Sequence, residues 1–563
     1  MFIAPLSRDE LKKIIGYRKL ESAEFLVELE KIHLGYKIVI EAKGTVDDVE
    51  IFSFPRPERL LVNNWQSWGP TRVIDRNFEL NFPKDLIEKF GFSASIMPEK
   101  YFSTLISDYF IASDNFVLGA LSSKVGHPYF ELDKEYVHVK LRYFGKTFNE
   151  WTKLESFVVL FINPDVGLPH YVDLVAKESG ANYKRQNPVG WSSWYQYFLD
   201  FDYNKMLSDL NLSNGYGYEV FQIDDAWEKD IGDWEANDKF PELDVLANKI
   251  KEHGYIPGIW LAPFSVAETS KLYKEHPDWV VKDKDGKPVV AYENWNKKIY
   301  ALDTTNPEAK EWLKNLFVNL KNAGFDYFKI DFLFAGAIQG ERYDNVSPIE
   351  AYRTGMAVIR ESVGDSFILG CGAPLLPSVG YVDGMRISAD TAPYWDVNGP
   401  DIGYPNAYYA LRNVITRSFM NNVLWWNDPD CLMLRRQETQ LTDEQRKLYS
   451  YVSMMLDNMI IQSDNLSLDI DKELWKSVLN YKKNGRRIFK VEGILSGEYK
   501  ITSCGLNGCD KLIIKDLKNV QFDVSFDKKR VSLIKSVEKR EDGRTFNYYT
   551  EGSESEGLEG DAK

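Results

Sequence analysis

Asp326-Tyr-Phe-Lys-Ile-Asp-Phe-Leu-Phe334 decides the fold. The stretch opens as a short run rich in aromatics and Ile, and then sets a bare acid, Asp331, among Ile330, Phe332, Leu333 and Phe334. Burying a carboxylate in such company costs several kcal/mol unless the group is paired or put to use. Lys329 stands two positions earlier, so on a strand it projects from the same face and is placed to hold Asp331 ionised. A buried structural ion pair and a functional acid are equally compatible with Lys-x-Asp taken alone.

Working outward, the same pattern of strand, loop and helix recurs. Val189-Gly-Trp-Ser-Ser-Trp194, Glu219-Val-Phe-Gln-Ile-Asp-Asp225 and Ile256-Pro-Gly-Ile-Trp-Leu-Ala262 precede the opening stretch. Phe367-Ile-Leu-Gly-Cys371, Gly384-Met-Arg-Ile-Ser388, Val423-Leu-Trp-Trp-Asn427 and Met459-Ile-Ile-Gln462 follow it. Helical patterns lie between, such as the segment opening on Pro307, which suits a first helical turn. Eight strands alternating with helices predict an α/β fold, a (β/α)8 barrel over residues 181–467. The long interval between Trp260 and Tyr327 predicts an insertion in the third βα loop.

Residues 1–180 read differently. Runs such as Tyr36-Lys-Ile-Val-Ile-Glu and Phe157-Val-Val-Leu-Phe-Ile are short and heavy in β-branched and aromatic residues, which predicts an N-terminal β-sandwich domain. One loop in it, Asn63-Asn-Trp-Gln-Ser-Trp-Gly-Pro70, sets two tryptophans among amides. That octet suits a sugar-stacking edge or a structural Trp corner. Residues 468–563 return to alternating β patterns and predict a small C-terminal β-domain ending in a loose acidic tail.

Composition narrows the partners. The 563 residues carry a formal net charge of −15, which argues against nucleic acid and anionic membranes. No apolar run approaches the roughly 18 residues that span a bilayer, and the N-terminus lacks a charged-then-apolar leader, so the expectation is a soluble cytoplasmic protein. The four cysteines form no secreted framework; Cys504 and Cys509 could close a local disulfide, but free thiols are expected. The six histidines show no metal-ligand spacing, so neither a metal nor another cofactor is expected.

In a (β/α)8 barrel the site lies at the C-terminal ends of the strands. Trp191 and Trp194 fall there on the first strand, Asp224 and Asp225 on the second, and Trp260 on the third. Asp331 ends the fourth, Cys371 the fifth, and Arg386 followed by Asp390 the sixth. Without a histidine, the chemistry falls to carboxylates, and glycosidic cleavage is a reaction two carboxylates perform. Asp331, flanked by Lys329, is expected to stay charged, and the later Asp390 to keep its proton near that negative charge. Asp428 and Asp430 compete, but Asn427-Asp-Pro-Asp-Cys431 reads as a turn. Asp383 precedes its strand, at the wrong end of the barrel. Cys371 reads most simply as a small buried residue, and Trp260 as barrel filling or a stacking platform.

Taken together, Trp191-Ser-Ser-Trp-Tyr, Phe221-Gln-Ile-Asp-Asp-Ala, Gly258-Ile-Trp-Leu-Ala-Pro, Phe328-Lys-Ile-Asp-Phe, Gly370-Cys-Gly-Ala-Pro and Asp383-Gly-Met-Arg-Ile-Ser-Ala-Asp390 occur in one order. That order resembles the α-galactosidases of glycoside hydrolase family 36, particularly the short thermophile type. The resemblance runs over almost the whole chain and implies an N-terminal β-supersandwich, a (β/α)8 barrel and a C-terminal β-domain. It implies that Asp331 is the nucleophile and Asp390 the acid/base of a retaining hydrolase of small α-galactosides. It further implies that Asp224 and Asp225 bind O4 and O6 of galactose, that Lys329 and Arg386 contact O3/O4 and O2, and that Trp260, Trp191 and Cys371 belong to the pocket. Trp65 is implied as an aromatic lent by the N-terminal domain. The resemblance departs at Ala389, where relatives carry Pro. A galactosyltransferase of the raffinose-synthase kind, an α-N-acetylgalactosaminidase and a non-catalytic sugar-binding protein remain alternatives, and homo-oligomerisation is left open.

Overall fold

The computed structural model describes residues 11–20, 22–79, 96–97, 100, 104–184, 186–396, 401, 403–483, 485, 487–505 and 508–526, and the backbone of 532–539 and 545–552. The expected acidic tail, residues 552–563, lies outside the described residues except for the backbone of Gly552, which ends a strand.

Eight parallel strands form the barrel: β1 (Val189–Ser192), β2 (Val220–Ile223), β3 (Ile256–Leu261), β4 (Tyr327–Ile330), β5 (Phe367–Gly370), β6 (Gly384–Arg386), β7 (Trp426–Asp428) and β8 (Ile460–Gln462). Neighbours pair in sequence order, and β1 also pairs with β8. Met459 N–H donates to Asn427 O at 2.9 Å and Leu432 N–H to Ile461 O at 2.7 Å, which brings the ends of β7 and β8 together. All eight strands are buried along their length except the first residue of β3, which is why they read as continuous apolar runs rather than alternating ones.

Helices return the chain between strands. The helix Pro307–Ala323 shows how the sequence sets its ends. Asn306 Oδ1 accepts from the Glu308 and Ala309 amides, Pro307 takes the first turn, and Gly324, at φ 116°, closes it. The fifth crossover departs from the expected alternation. Between β5 and β6 the chain makes only the four-residue helix Leu375–Ser378, because Pro374 and Pro377 leave no room for a longer one.

The third βα connection carries the expected insertion, a three-stranded sheet of Ser265–Ala267, Val290–Asn294 and Lys297–Ala301. The second carries a hairpin, Glu228–Asp230 with Asp233–Ala236, that the sequence reading did not foresee.

N-terminal to the barrel, eleven strands form one continuous antiparallel sheet. Its two long members, Gly35–Pro55 and Tyr136–Lys153, pair with each other through three register shifts, and such bulges bend and twist a sheet. This sheet-rich unit touches the barrel through the loop that carries the two tryptophans. Ser67 N–H donates to Ala373 O at 2.9 Å, and Leu375 N–H to Trp65 O at 2.9 Å. Arg417 clamps the loop from the barrel side, donating to Asn63 Oδ1, Ser67 O, Gly69 O and Ile387 O.

A four-stranded antiparallel sheet between Ile488 and Phe526 begins the C-terminal β-domain. In it Cys504 and Cys509 are disulfide-bonded, against the expectation of free thiols. They stand directly opposite each other in a tight hairpin, a register their spacing alone did not reveal. The cysteine count therefore gives no argument for a reducing compartment.

Candidate active site

The C-terminal ends of the barrel strands open on a cavity of about 890 Å³, toward the upper end of the ~300–1,000 Å³ usual for small-molecule sites. Trp68, Trp194, Trp260, Trp295 and Phe332 supply its aromatic walls; Asp224, Asp225, Lys329, Asp331 and Asp390 carry charge into it, and Glu268, Glu293, Lys297 and Lys298 add more.

Asp331 follows β4 directly, and its amide still bonds Leu261 O across to β3 at 2.9 Å. The next residue, Phe332, takes left-handed backbone at φ 51°, an unusual conformation for a bulky side chain and one that clusters at functional sites. That turn lets the Phe332 amide donate to Asp331 Oδ1 at 2.8 Å, while Trp260 Nε1–H donates to Oδ2 at 3.0 Å. Burial pushes the Asp331 carboxyl above its ordinary range; the Lys329 charge opposes this and the Asp390 charge adds to it.

Lys329 does not pair with Asp331 as its spacing suggested. Its Nζ bonds Asp224 Oδ2 at 2.8 Å. Both residues of that pair are almost fully buried. Asp224 also accepts from Gln222 Nε2 at 2.5 Å and Ser192 Oγ at 3.3 Å, and its own amide donates to Ser193 Oγ at 2.9 Å. Because β2 ends at Ile223, both Asp224 and Asp225 lie past the strand and reach the cavity. Asp225 Oδ2 accepts from Trp295 Nε1 at 2.9 Å.

Asp390 is held by Arg386, whose Nη2 lies 2.7 Å from Asp390 Oδ1 and 2.8 Å from Asp430 Oδ2. Asp430 is tied further by Tyr195 Oη and by the Thr391 amide, the latter at 2.8 Å. Arg386 therefore spans two acids. Asp430, read from sequence as a turn residue, is the brace that fixes Arg386 behind Asp390. Asp383 bonds Arg360 and the Lys184 and Ile368 amides, outside the cavity lining, as expected for the other end of its strand.

Two tryptophans are reassigned. Trp65 is buried away from the cavity, edge-on to His127, and it is Trp68 that lines the site. The turn from Gln66 to Gly69 separates the two, with Trp68 N–H bonded to Gln66 Oε1 at 2.9 Å. Trp68 Nε1–H lies 3.3 Å from Cys371 Sγ, so Cys371 sits behind the wall rather than in it, where its thiol also hydrogen-bonds the Asp331 carboxylate. Trp191 likewise stacks on Phe221 at 4.1 Å and donates to Asp464 O, within the core, and Trp194 lines the cavity instead. Trp295 and Phe332 were not singled out from sequence. Trp295 comes from the insertion, whose sheet register has no local signature.

Two family models match the chain: Alpha-galactosidase, N-terminal, over residues 28–161, and Melibiase over residues 169–347. The chain belongs to the α-galactosidases of glycoside hydrolase family 36. Among curated relatives, this family-36 chain is 35% identical over 109 residues to the alpha-galactosidase AgaA of Geobacillus stearothermophilus, covering 18% of this chain and 15% of that one. It is 29% identical over 154 residues to Mel36A of Lactobacillus acidophilus, covering 26% and 20%. These alignments thus span a fifth or less of those relatives' length. Over longer reach, the alpha-galactosidase TtGalA of Thermus thermophilus, solved with p-nitrophenyl alpha-D-galactopyranoside, superposes with a TM-score of 0.72 at 26% identity, covering 86% of this chain and 98% of that one. Among the described residues of this family-36 member, no helix is long and apolar enough to cross a membrane.

Proposed function

We propose that the protein is a retaining α-galactosidase that hydrolyses terminal α-linked galactose from small galactosides. The observation that carries this is the meeting of Asp331 and Asp390 in one cavity, from the ends of β4 and β6, beside the buried Asp224–Lys329 pair. The relatives' activities agree with that reading.

In the first step Asp331 attacks the anomeric carbon. Its two oxygens are already aimed by the Trp260 indole and the Phe332 amide, so little reorganisation is needed. Asp390 protonates the departing glycosidic oxygen, and a β-linked galactosyl-enzyme forms. Asp390 then removes a proton from water, which releases α-galactose with net retention. Asp224, Asp225 and Lys329 are assigned to the hydroxyls of the galactose ring, and the aromatic walls to the apolar face of the sugar. Arg386, implied from sequence as a sugar contact, lies outside the cavity lining and is assigned instead to holding Asp390.

An aryl-glycoside panel (α-galactoside, α-glucoside, α-N-acetylgalactosaminide) tests the substrate. Proton NMR of the first-formed anomer tests stereochemistry, and initial release of β-galactose would overturn the mechanism. Azide rescue of Asp331→Ala giving β-galactosyl azide fixes the nucleophile, whereas rescue of a different variant moves it. Oligosaccharide yield at high substrate separates hydrolysis from galactosyl transfer.

A further inference from the structure

Two carboxylate oxygens stand out, one on Asp225 in the cavity lining and one on Glu228 behind it. Asp225 Oδ1 and Glu228 Oε2 are both sealed from solvent, and neither receives a donor hydrogen bond from a neighbouring donor group. Their side chains are nonetheless hydrogen-bonded to each other. Two ionised carboxylates cannot make that contact, so one proton has to lie between them.

The backbone is shaped to bring the pair together. Ala226, between them in sequence, takes a φ of 112°, in the left-handed region that a non-glycine residue rarely adopts. Such a conformation persists where the surroundings over-determine it. Here Asn237 Nδ2 clamps the turn by donating to Ala226 O at 2.8 Å and Glu228 O at 3.1 Å. Trp227 Nε1–H pins it to β3 through Trp260 O at 2.9 Å. A strained, doubly clamped turn whose outcome is a carboxyl–carboxylate contact is a built feature.

We propose that Glu228 is a positioning residue that keeps the shared proton and donates it to Asp225 Oδ1, so that Asp225 presents Oδ2 and its charge to a sugar hydroxyl. Its role rests on the reading of the cavity as an α-galactoside site. Burial, and then the charge of Asp225, push Glu228 well above the ordinary carboxyl range, and burial raises Asp225 as well. The groups facing the pair are Asp224 on the same loop and Trp295 and Tyr292 from the insertion. Lys329 is bonded to Asp224 and not to either member of the pair. As pH rises far enough to remove the proton, two like charges come to face each other and Asp225 is driven off its aim.

Glu228→Gln tests this, because its amide donates to Asp225 Oδ1 without being able to lose the proton. At pH 8, the infrared spectrum of the wild type minus that of E228Q is expected to show a protonated carboxyl C=O stretch; a flat difference overturns the shared proton. Galactose affinity, measured by calorimetry, is expected to fall at alkaline pH in the wild type and to stay level in E228Q. Glu228→Ala is expected to bind galactose about tenfold more weakly at neutral pH, the scale of one lost hydrogen bond to a charged group. If E228A binds as the wild type does, or if E228Q loses affinity in step with it, Glu228 does not position Asp225. If the wild type binds no galactose at any pH, the α-galactoside reading falls, and the infrared band alone judges the pair.

Discussion

Lys329 Nζ sits 2.8 Å from Asp224 Oδ2, past the end of β2, and not on Asp331, the acid two residues later in its own chain segment. The pair is buried, so removing one member strands the other charge. Breaking a buried pair this way typically costs about 3–5 kcal/mol. Lys329→Met is therefore expected to lower stability by that order and kcat/KM by well over tenfold, measured by denaturant unfolding and aryl-galactoside kinetics. Adding Asp224→Asn should recover much of the stability and none of the activity. Additive stability losses would contradict the pairing.

The difference between the expected and the observed partner of Lys329 shows what a sequence carries. Spacing along a strand tells which residues share a face, but not which neighbouring strand lies closer. The barrel strands were legible because parallel strands covered on both sides read as unbroken apolar runs, with acids marking their exits. Asp331, Asp390, Asp224 and Asp225 could be found this way. Trp68 could not be chosen over Trp65, because the deciding turn depends on hydrogen bonds through Gln66. Asp430 looked like a turn residue and is one, with φ 75°, yet the same turn aims it at Arg386. Glu228 had no sequence signal, since the strained backbone at Ala226 is what returns it to Asp225.

Arg417 transmits the position of the Trp68 loop to the barrel. It is buried, bonded to one side-chain oxygen and three backbone carbonyls at 3.0 Å or less, and burial lowers its guanidinium to about 9. Arg417→Met strips Ser67 O and Ile387 O of their donor, at about 1–3 kcal/mol for each buried group left unpaired, while Asn63 Oδ1 keeps Thr71 Oγ1 and Gly69 O keeps Asn413 Nδ2. A loss of several kcal/mol on unfolding is expected, together with a rise in KM as Trp68 loses its support. Unchanged KM in a folded variant would mean that Trp68 is held by other contacts.

Asp209 sets a pH dependence unconnected with the reaction. Burial raises its carboxyl to about 6, although Tyr197 Oη at 2.6 Å and the Leu466 amide at 2.8 Å favour the charged form. The folded value exceeds the unfolded one, so the folded state binds this proton more tightly. Stability is therefore lost as pH rises from about 4 to about 6, with a ceiling of about 3 kcal/mol, and stays lost above that. Asp209→Asn keeps both hydrogen bonds without the charge, because Tyr197 Oη can accept. The variant is expected to match the wild type near pH 4 and exceed it at pH 7. Thermal unfolding at both values checks this, and a constant gap would contradict it.

Trp260 aims Asp331 through a single indole N–H. Trp260→Phe keeps an aromatic ring, though a smaller one, and removes a donor that favours the carboxylate, so the Asp331 carboxyl should rise further. The acid limb of kcat/KM reports the free enzyme's base and is expected to move to higher pH, while the loss at the optimum stays near tenfold. A limb that does not move would show that the indole N–H does not set the charge of Asp331, leaving that to the Phe332 amide, the Cys371 thiol and the charges of Lys329 and Asp390.

Asp390 is asked to do two different things, and leaving groups separate them. In forming the galactosyl-enzyme it donates a proton, which a nitrophenolate barely needs and a sugar alkoxide needs fully. In the second step it takes a proton from water, and that task is the same whatever left. Asp390→Asn cannot do either, and it also loses the charge opposite Arg386, which remains fixed by Asp430. The variant should therefore hydrolyse melibiose at least a hundredfold less well than the wild type, within the roughly 10²–10⁴ that a positioned acid supplies. With p-nitrophenyl α-galactoside the first step should survive and the second should stall. A burst of nitrophenol followed by slow turnover is then expected, and added azide should speed the turnover by attacking without a base. Equal losses on both substrates with no burst would assign the proton to a different group.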